Sequence, residues 1–323
     1  IKPKNSVLNG KLLFVKLDGN KKNLAENCKR LALTRTAFKV LFSCKKAKLK
    51  SEINSFNWQK IYKKDFCARI YSEKKQNISE KDLGSLIWEK LKTPKVKLKN
   101  SKTEICFFFI KNEVFCGLKF FQNKENFEAR EPHKRHFSHP GSLHPKVARA
   151  LVNISGVKQN ETMIDPFCGT GGFLIEAGMM GVKTIGHDIS KSIIQGCKKN
   201  LKQFKIKNNK TSVKNALKLD EKFDFLVSDL PYGLNSNLFL ETDEKSLKKK
   251  GNFLSMKGNA TSTDVGNFYS VFLNRLSKIK HKKSVLVFPS FVNYRKIIKN
   301  AGFKIEFEYS NYVHGTLSRK MVR

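Results

Sequence analysis

The chain has 323 residues, 40% of them hydrophobic, with 26 Phe interrupted by Lys every few positions. That length suits two domains of roughly 150 residues, each able to bury a core, and excludes a small disulfide knot; no run approaches the roughly 20 apolar residues of a membrane span. Sixty-four Lys and Arg against 27 Asp and Glu give a net charge of +37, which a phosphate polymer would answer directly. Neither half holds this excess alone, with 31 basic against 12 acidic residues in 1–130 and 33 against 15 in 131–323. Solvated lysine written by an A/T-rich genome is the competing reading. The seven cysteines are odd in number and never spaced C-x-x-C, which argues against a disulfide framework or a metal site and for reduced thiols in a cytoplasm. Ile1 opens the sequence and no apolar stretch follows Lys2 and Lys4, so no signal peptide is expected there, and a short preceding piece is expected to be missing.

In chain order the first region reads strand, helix, strand over 12–15, 24–32 and 37–42. A second group follows, with a strand at 66–71, a helix whose apolar positions are 83, 86, 87 and 91, and a hairpin of 105–110 with 114–121 turning at Lys111 and Asn112. Ser79 with Asp82 three residues on is a near capping box for that helix. Together these predict a small α+β region. Residues 122–139 are polar, lack apolar periodicity and have Pro132 and Pro140 as breakers, so a linker is expected there.

Beyond it, helices and strands alternate: helices at 144–154, 171–180, 190–203, 263–279 and 291–300, strands at 162–166, 182–188, 210–215, 223–229 and 284–289, with two last strands near 303–309 and 316–322. This pattern predicts a mainly parallel, doubly wound α/β sheet. The segment 236–259, rich in lysine, lacks a core pattern and reads as a surface loop.

Two motifs carry chemistry. The first is Asp165-Pro-Phe-Cys-Gly-Thr-Gly-Gly172, a strand that ends in an acid and turns through Gly169 and Gly171 into a helix. The glycines let the backbone approach a ligand at the helix start, and the acid would repel a phosphate. The site therefore favours a cationic ligand group, which points to S-adenosylmethionine. Asp188 ends the next strand 23 residues later, close to the roughly 20 expected of an acid on ribose hydroxyls. A structural turn is the alternative. The second motif is Ser228-Asp-Leu-Pro-Tyr-Gly233, at the end of a hydrophobic strand, where ligands of open sheets bind. Asp229 and the Leu230 carbonyl would accept the N–H groups of an exocyclic base amine, whose lone pair is otherwise delocalised, while Tyr232 stacks on the base. An ordinary strand followed by a proline turn is the alternative.

On these stretches the chain resembles the S-adenosylmethionine-dependent amino-methyltransferases, whose pattern is Asp/Asn-Pro-Pro-Tyr. More closely it resembles the archaeal THUMP-domain tRNA guanine-N2 methyltransferases that act on guanosine 10. The match rests on His136–Asn153, Asp165–Gly172, Ser228–Gly233 and Val313–Arg319, with 57–121 similar to a THUMP module around Asp65–Ile70. The resemblance implies an N-terminal α+β ferredoxin-like part at 1–56, a THUMP domain at 57–122, a linker at 123–138 and a Rossmann-like class I methyltransferase domain at 139–323. It also implies transfer of a methyl group from S-adenosylmethionine to guanosine 10 of tRNA. The implied catalytic residues are Asp229, Leu230, Pro231 and Tyr232. The implied cofactor residues are Leu143, Asp165, Phe167, Gly169, Gly171, Asp188, Ile189, Asn215 and Ala216. A cytoplasmic monomer is expected, with a small activator subunit left open and no metal or membrane.

The sequence departs from the family pattern at Leu230, where the first Pro is replaced and a less rigid loop is expected. It also departs at Asn215, in place of an Asp, whose side-chain oxygen would accept the adenine amine. His144 reads equally as a helix cap, and the Arg319 region equally as an edge hairpin. A ribosomal RNA guanine-N2 methyltransferase, a DNA amino-methyltransferase and a non-catalytic RNA-binding protein with a retained fold remain the alternatives.

Overall fold

The computed structural model describes residues 3–9, 12–17, 24–139, 141–233, 238–240, 254–256, 261–314 and 317–323. The chain divides into two compact units, Ile1–Lys124 and Glu125–Arg323.

In the first unit, β1 (Pro3–Asn9) and β2 (Leu12–Leu17) form an antiparallel pair, followed by the short helix α1 (Leu24–Lys29). Strand β3 (Thr36–Lys45), helix α2 (Leu49–Ser55), β4 (Phe66–Ser72), α3 (Glu80–Trp88), β5 (Thr103–Ile110) and β6 (Glu113–Gln122) then build a four-stranded sheet in the order β3-β6-β5-β4. Only β4 and β5 run parallel, joined by the α3 crossover. Ser79 and Asp82 do form a reciprocal capping box on α3, satisfying two amides that a helix start leaves open. Leu83 and Ile87 of α3 and Leu49 and Ile53 of α2 bury against Phe66, Ile105 and Phe107. The expected boundary at 56/57 runs through this core, because β3 pairs with β6 and α2 packs beside Trp58.

The second unit begins well before the expected start at 139. Residues 123–138 were expected to be a linker, yet Phe127, Arg130 and Arg135 are 2%, 4% and 6% exposed. The reason is chemical. The guanidinium of Arg130 pairs with the buried carboxylate of Glu176, and Phe127 lies beneath both Arg130 and Arg149, so charged residues fill core positions that polarity alone assigns to solvent.

The remaining elements are α4 (Pro145–Ser155), β7 (Thr162–Asp165), α5 (Gly172–Gly178), β8 (Lys183–Asp188), α6 (Lys191–Gln203), β9 (Asn209–Val213), β10 (Phe225–Asp229), β11 (Leu238–Leu240), β12 (Leu254–Met256), α7 (Ser262–Leu276), β13 (Lys283–Pro289), α8 (Tyr294–Asn300), β14 (Glu308–His314) and β15 (Leu317–Val322). The main sheet has the order β14-β15-β13-β10-β7-β8-β9, parallel except for β15, which is antiparallel to both neighbours. Numbered along this unit, its strands run 3-2-1-4-5-7-6, the order of a class I methyltransferase. Successive residues of the central strands face opposite layers: Met163, Phe225 and Val227 join α4, α5 and α6 on one side, while Ile164, Leu226 and Leu286 join α7 and α8 on the other.

The expected strand at 303–309 lies further along, as β14, because Gly302 has a left-handed φ of +81° and the chain turns there before rejoining the sheet. Of the expected loop 236–259, β11 and β12 form a small antiparallel pair; the rest lies outside the described residues, as does Pro140. Among the described residues no helix is long and apolar enough to cross a membrane.

Candidate active site

The strand order reverses between β7 and β10, and open α/β sheets bind ligands beyond the carboxyl ends of strands at such a point. A cavity of about 600 Å³ opens there. Asp165, Asp188 and Asp229, the last residues of β7, β8 and β10, all line it.

The turn after β7 forms the floor. Gly169 and Gly171 take left-handed φ of +50° and +86°, which glycine adopts without strain. At Gly171 a side chain is excluded twice, since a Cβ would stand 2.8 Å from Cys197 Sγ. Gly171 caps α5 and does not itself line the cavity. The turn is tied down by the amides of Gly171, which donates to the Cys168 carbonyl, and of Cys168, which donates to His187. Thr170 accepts from Arg135 and lies 3.2 Å from the Ser142 hydroxyl. Asn200 clasps the Thr170 and Phe137 carbonyls.

Asp165 is almost fully buried. One of its oxygens accepts from Ser228 Oγ at 2.5 Å and from the Phe167 amide at 3.1 Å. Burial pushes its pKa up to about 7, against the pull of those two donors and with the help of Asp229 and Asp188 nearby. Asp188 accepts from the amides of Ser190 and Gly169, and burial raises its pKa as well. The apolar surfaces of Leu143, Phe167, Ile189 and Ala216 line the same cavity.

Asn215 also lines the cavity, with its amide turned the other way from the expected acceptor. Its oxygen accepts the Leu217 amide at 2.9 Å, and since that amide can only donate, the other atom must be nitrogen. That Nδ2 is buried without a partner. His144 is the N-cap of α4, its Nδ1 accepting from the Lys146 amide.

At the far wall, Asp229 receives the Tyr232 hydroxyl at 2.8 Å on Oδ1. Burial raises Asp229 to about 6, while Arg319 and Tyr232 pull it down. Tyr232 is raised in turn by burial and by Asp229. Pro231 lines the cavity, and its carbonyl accepts from Tyr269. Leu230 does not line it: its side chain is buried in the core. Its amide donates to the Val287 carbonyl at 3.2 Å, a bond that a proline, lacking the N–H, would forfeit. Leucine here therefore fastens the loop by one ladder bond where the sequence suggested a looser turn.

Arg319, Tyr269, Ser228 and Arg135 also belong to this arrangement; Ser228 and Arg319 lie in stretches the sequence singled out without a site role for either, and Tyr269 and Arg135 lie outside them. Arg319 donates to the Tyr232 hydroxyl and to the Gly141 carbonyl, and its Nε is 3.8 Å from Asp229 Oδ2. The signal that would have found it is topological. An antiparallel last strand brings its beginning to the edge where the parallel strands end.

Residues 132–237 match the UPF0020 family, RMKL-like, methyltransferase domain. Among curated proteins, the chain is 36% identical over 223 residues to the tRNA (guanine(10)-N2)-dimethyltransferase of Methanothermobacter thermautotrophicus, covering 67% of this chain and 66% of that one. It is 33% identical to the protein of the same name from Methanocaldococcus jannaschii, again covering 67% and 66%. The chain thus spans about two thirds of the length of these relatives. The namesake from Pyrococcus abyssi is 30% identical over 282 residues, covering 83% of this chain and 76% of its own. With that span matched, the chain belongs to the tRNA (guanine(10)-N2)-dimethyltransferase family.

Proposed function

We propose that the chain transfers a methyl group from S-adenosylmethionine to the exocyclic amine of guanosine 10 in tRNA. The observation that carries this reading is a reversal of charge. In a chain of net charge +37, the cavity at the strand ends is lined by three aspartates against Lys214 and His139. Such a lining repels phosphate and favours a cation and an amine.

The residues present fit the cofactor. Asp165 would hold its ammonium group and Asp188 its ribose hydroxyls. The unpartnered Asn215 Nδ2 would donate to a ring nitrogen of the adenine lying among Phe167, Ile189 and Ala216, with Leu143 and Gly169 lining the rest and Gly171 acting only through the turn it caps. The cofactor, when bound, supplies a methyl group on a positively charged sulfur. Asp229 accepts an N–H of the guanine amine, localising the nitrogen lone pair and stabilising the positive charge that grows on it. Tyr232 leaves the carboxylate to stack on the extruded base, and the Leu230 and Pro231 backbone holds the acceptor in place. Leu230 does not line the cavity as it stands, so its carbonyl becomes the second acceptor as the loop shifts with the departure of Tyr232.

The first unit is the RNA-binding part of this reading, with the THUMP module extended by β3 and α2, which share the sheet and core of 57–122. The relatives' names speak for two successive transfers. Incubation with unmodified tRNA and methyl-labelled S-adenosylmethionine, followed by nucleoside analysis, tests the proposal. Label in N2-methylated guanosine at position 10 is expected. Label confined to ribosomal RNA, to adenosine or to cytosine would overturn it in favour of the alternative substrates.

A further inference from the structure

We infer that Arg319 is a positioning residue of the methyl-transfer site, holding Asp229, Tyr232 and the cavity wall at Gly141 in one arrangement. The inference rests on the function proposed above. Arg319 sits near the start of β15, opposite Pro289 of β13 and Asn311 of β14. Its guanidinium has only donors. Nε gives to the Tyr232 hydroxyl at 3.2 Å and Nη2 gives to the Gly141 carbonyl at 2.9 Å. Because Arg319 can only donate to the phenol oxygen, the one phenol proton is left for Asp229 Oδ1, where it is found at 2.8 Å. The direction of the chain of bonds from arginine to phenol to carboxylate is therefore fixed.

Two consequences follow for the base. The phenol proton occupies the carboxylate oxygen that an incoming amine, also a donor, would claim, so the amine replaces the hydroxyl and releases the Tyr232 ring. Arg319 keeps its hold on Gly141 and its charge near Oδ2 of Asp229, 3.8 Å away, which leaves Oδ1 as the acceptor facing the amine. A lysine would keep the charge without the planar fork that spans both contacts. Among the described residues the other titratable groups facing Asp229 are Tyr232 on its own loop, Asp165 on β7 and Tyr269 on α7, and none of these is a cation.

The test uses the full chain with Arg319→Gln, Arg319→Lys and Tyr232→Phe. In thermal unfolding, Arg319→Gln and Tyr232→Phe should be non-additive, the double variant melting no lower than the worse single one. In single-turnover transfer, Arg319→Gln should lower the rate by about 10- to 100-fold with S-adenosylmethionine affinity changed by less than about twofold. It should also move the acid limb of the pH–rate profile to higher pH, which a merely structural arginine would not do. Arg319→Lys should restore the limb but not the rate. Additive unfolding, or an unchanged rate and limb in Arg319→Gln, overturns the inference. A wild-type chain that methylates no guanosine defeats the proposed function instead, and the unfolding cycle then decides whether Arg319 positions Tyr232.

Discussion

In the proposed function Asp229 has to be ionised to accept an amine and to stabilise the charge forming on it, and its burial raises its pKa to about 6. Methyl transfer should therefore fall about tenfold per pH unit below about 6 and level off above it, which single-turnover rates at saturating substrates will show. Asp229→Asn keeps the shape and removes the charge, so the expected loss in rate is on the order of 10²-fold or more with cofactor affinity unchanged. Asp165 works the other way, as a matter of stability. Its pKa is raised from 3.8 to about 7 by burial, so the empty folded state binds a proton more readily than the unfolded chain. The sign follows: stability is full below pH 4, and is lost as the pH rises towards 7, by at most about 4 kcal/mol at 1.36 kcal/mol per pKa unit. Asp165→Asn should flatten that decline in melts run from pH 4 to 8. It should also weaken S-adenosylmethionine binding above pH 7, where the charged aspartate would pair with the ligand's ammonium. Because Asp229 and Asp188 are raised as well, the difference between the two melts is the readout, and an identical pH dependence in wild type and Asp165→Asn would assign Asp165 an environment as polar as water.

At the scale of elements, the segment between Glu125 and His139 shows what the sequence carries and what it hides. The glycine turn, Asp188 and the end of β10 were legible because they pair a hydrophobic strand, whose period is local, with residues whose backbone or charge has one obvious use at a strand end. The segment 125–139 was not, since its anchors are charges and their partners lie far along the chain: Arg130 Nε meets Glu176 Oε1 at 2.7 Å, and Arg149 Nε meets Glu176 Oε2 at 2.9 Å. The role of Arg319 was hidden for a related reason, because the sheet brings it across from a strand 90 residues beyond Asp229. The Asn215 amide orientation depends on one backbone N–H that no periodicity reports. Removing the negative partner tests the buried cluster. Glu176→Gln would leave the Arg149 guanidinium in the core without a counter-charge and Arg130 with only the more exposed Glu125, 3.2 Å away, at a cost of about 3–5 kcal/mol. A fragment of residues 125–323 should melt cooperatively, whereas one starting at 139 should lose that transition, since it discards Phe127, Arg130 and Arg135. Equal melting of the two fragments would return 123–138 to the status of a linker.

Over the whole molecule the charges divide the labour. The basic excess is spread over both halves of the chain, while the cavity that would receive the base is acidic, so phosphate is attracted to the surface and kept from the cofactor's place. Binding of tRNA should then weaken steeply with salt, each neutralised phosphate adding roughly 0.7 to 0.9 to the slope of log K against log salt, while S-adenosylmethionine binding should respond little. The first unit adds a recognition surface of its own in the proposed function. Residues 125–323 should accordingly bind cofactor like the whole chain yet methylate tRNA far more slowly at limiting tRNA. The gap should narrow at saturating tRNA, because the missing unit contributes binding and leaves Asp229 untouched. Filter binding across a salt series and transfer rates across a tRNA series measure both effects. A flat salt response would give the +37 back to composition alone, and a fragment as fast as the intact chain at limiting tRNA would place recognition entirely within the second unit.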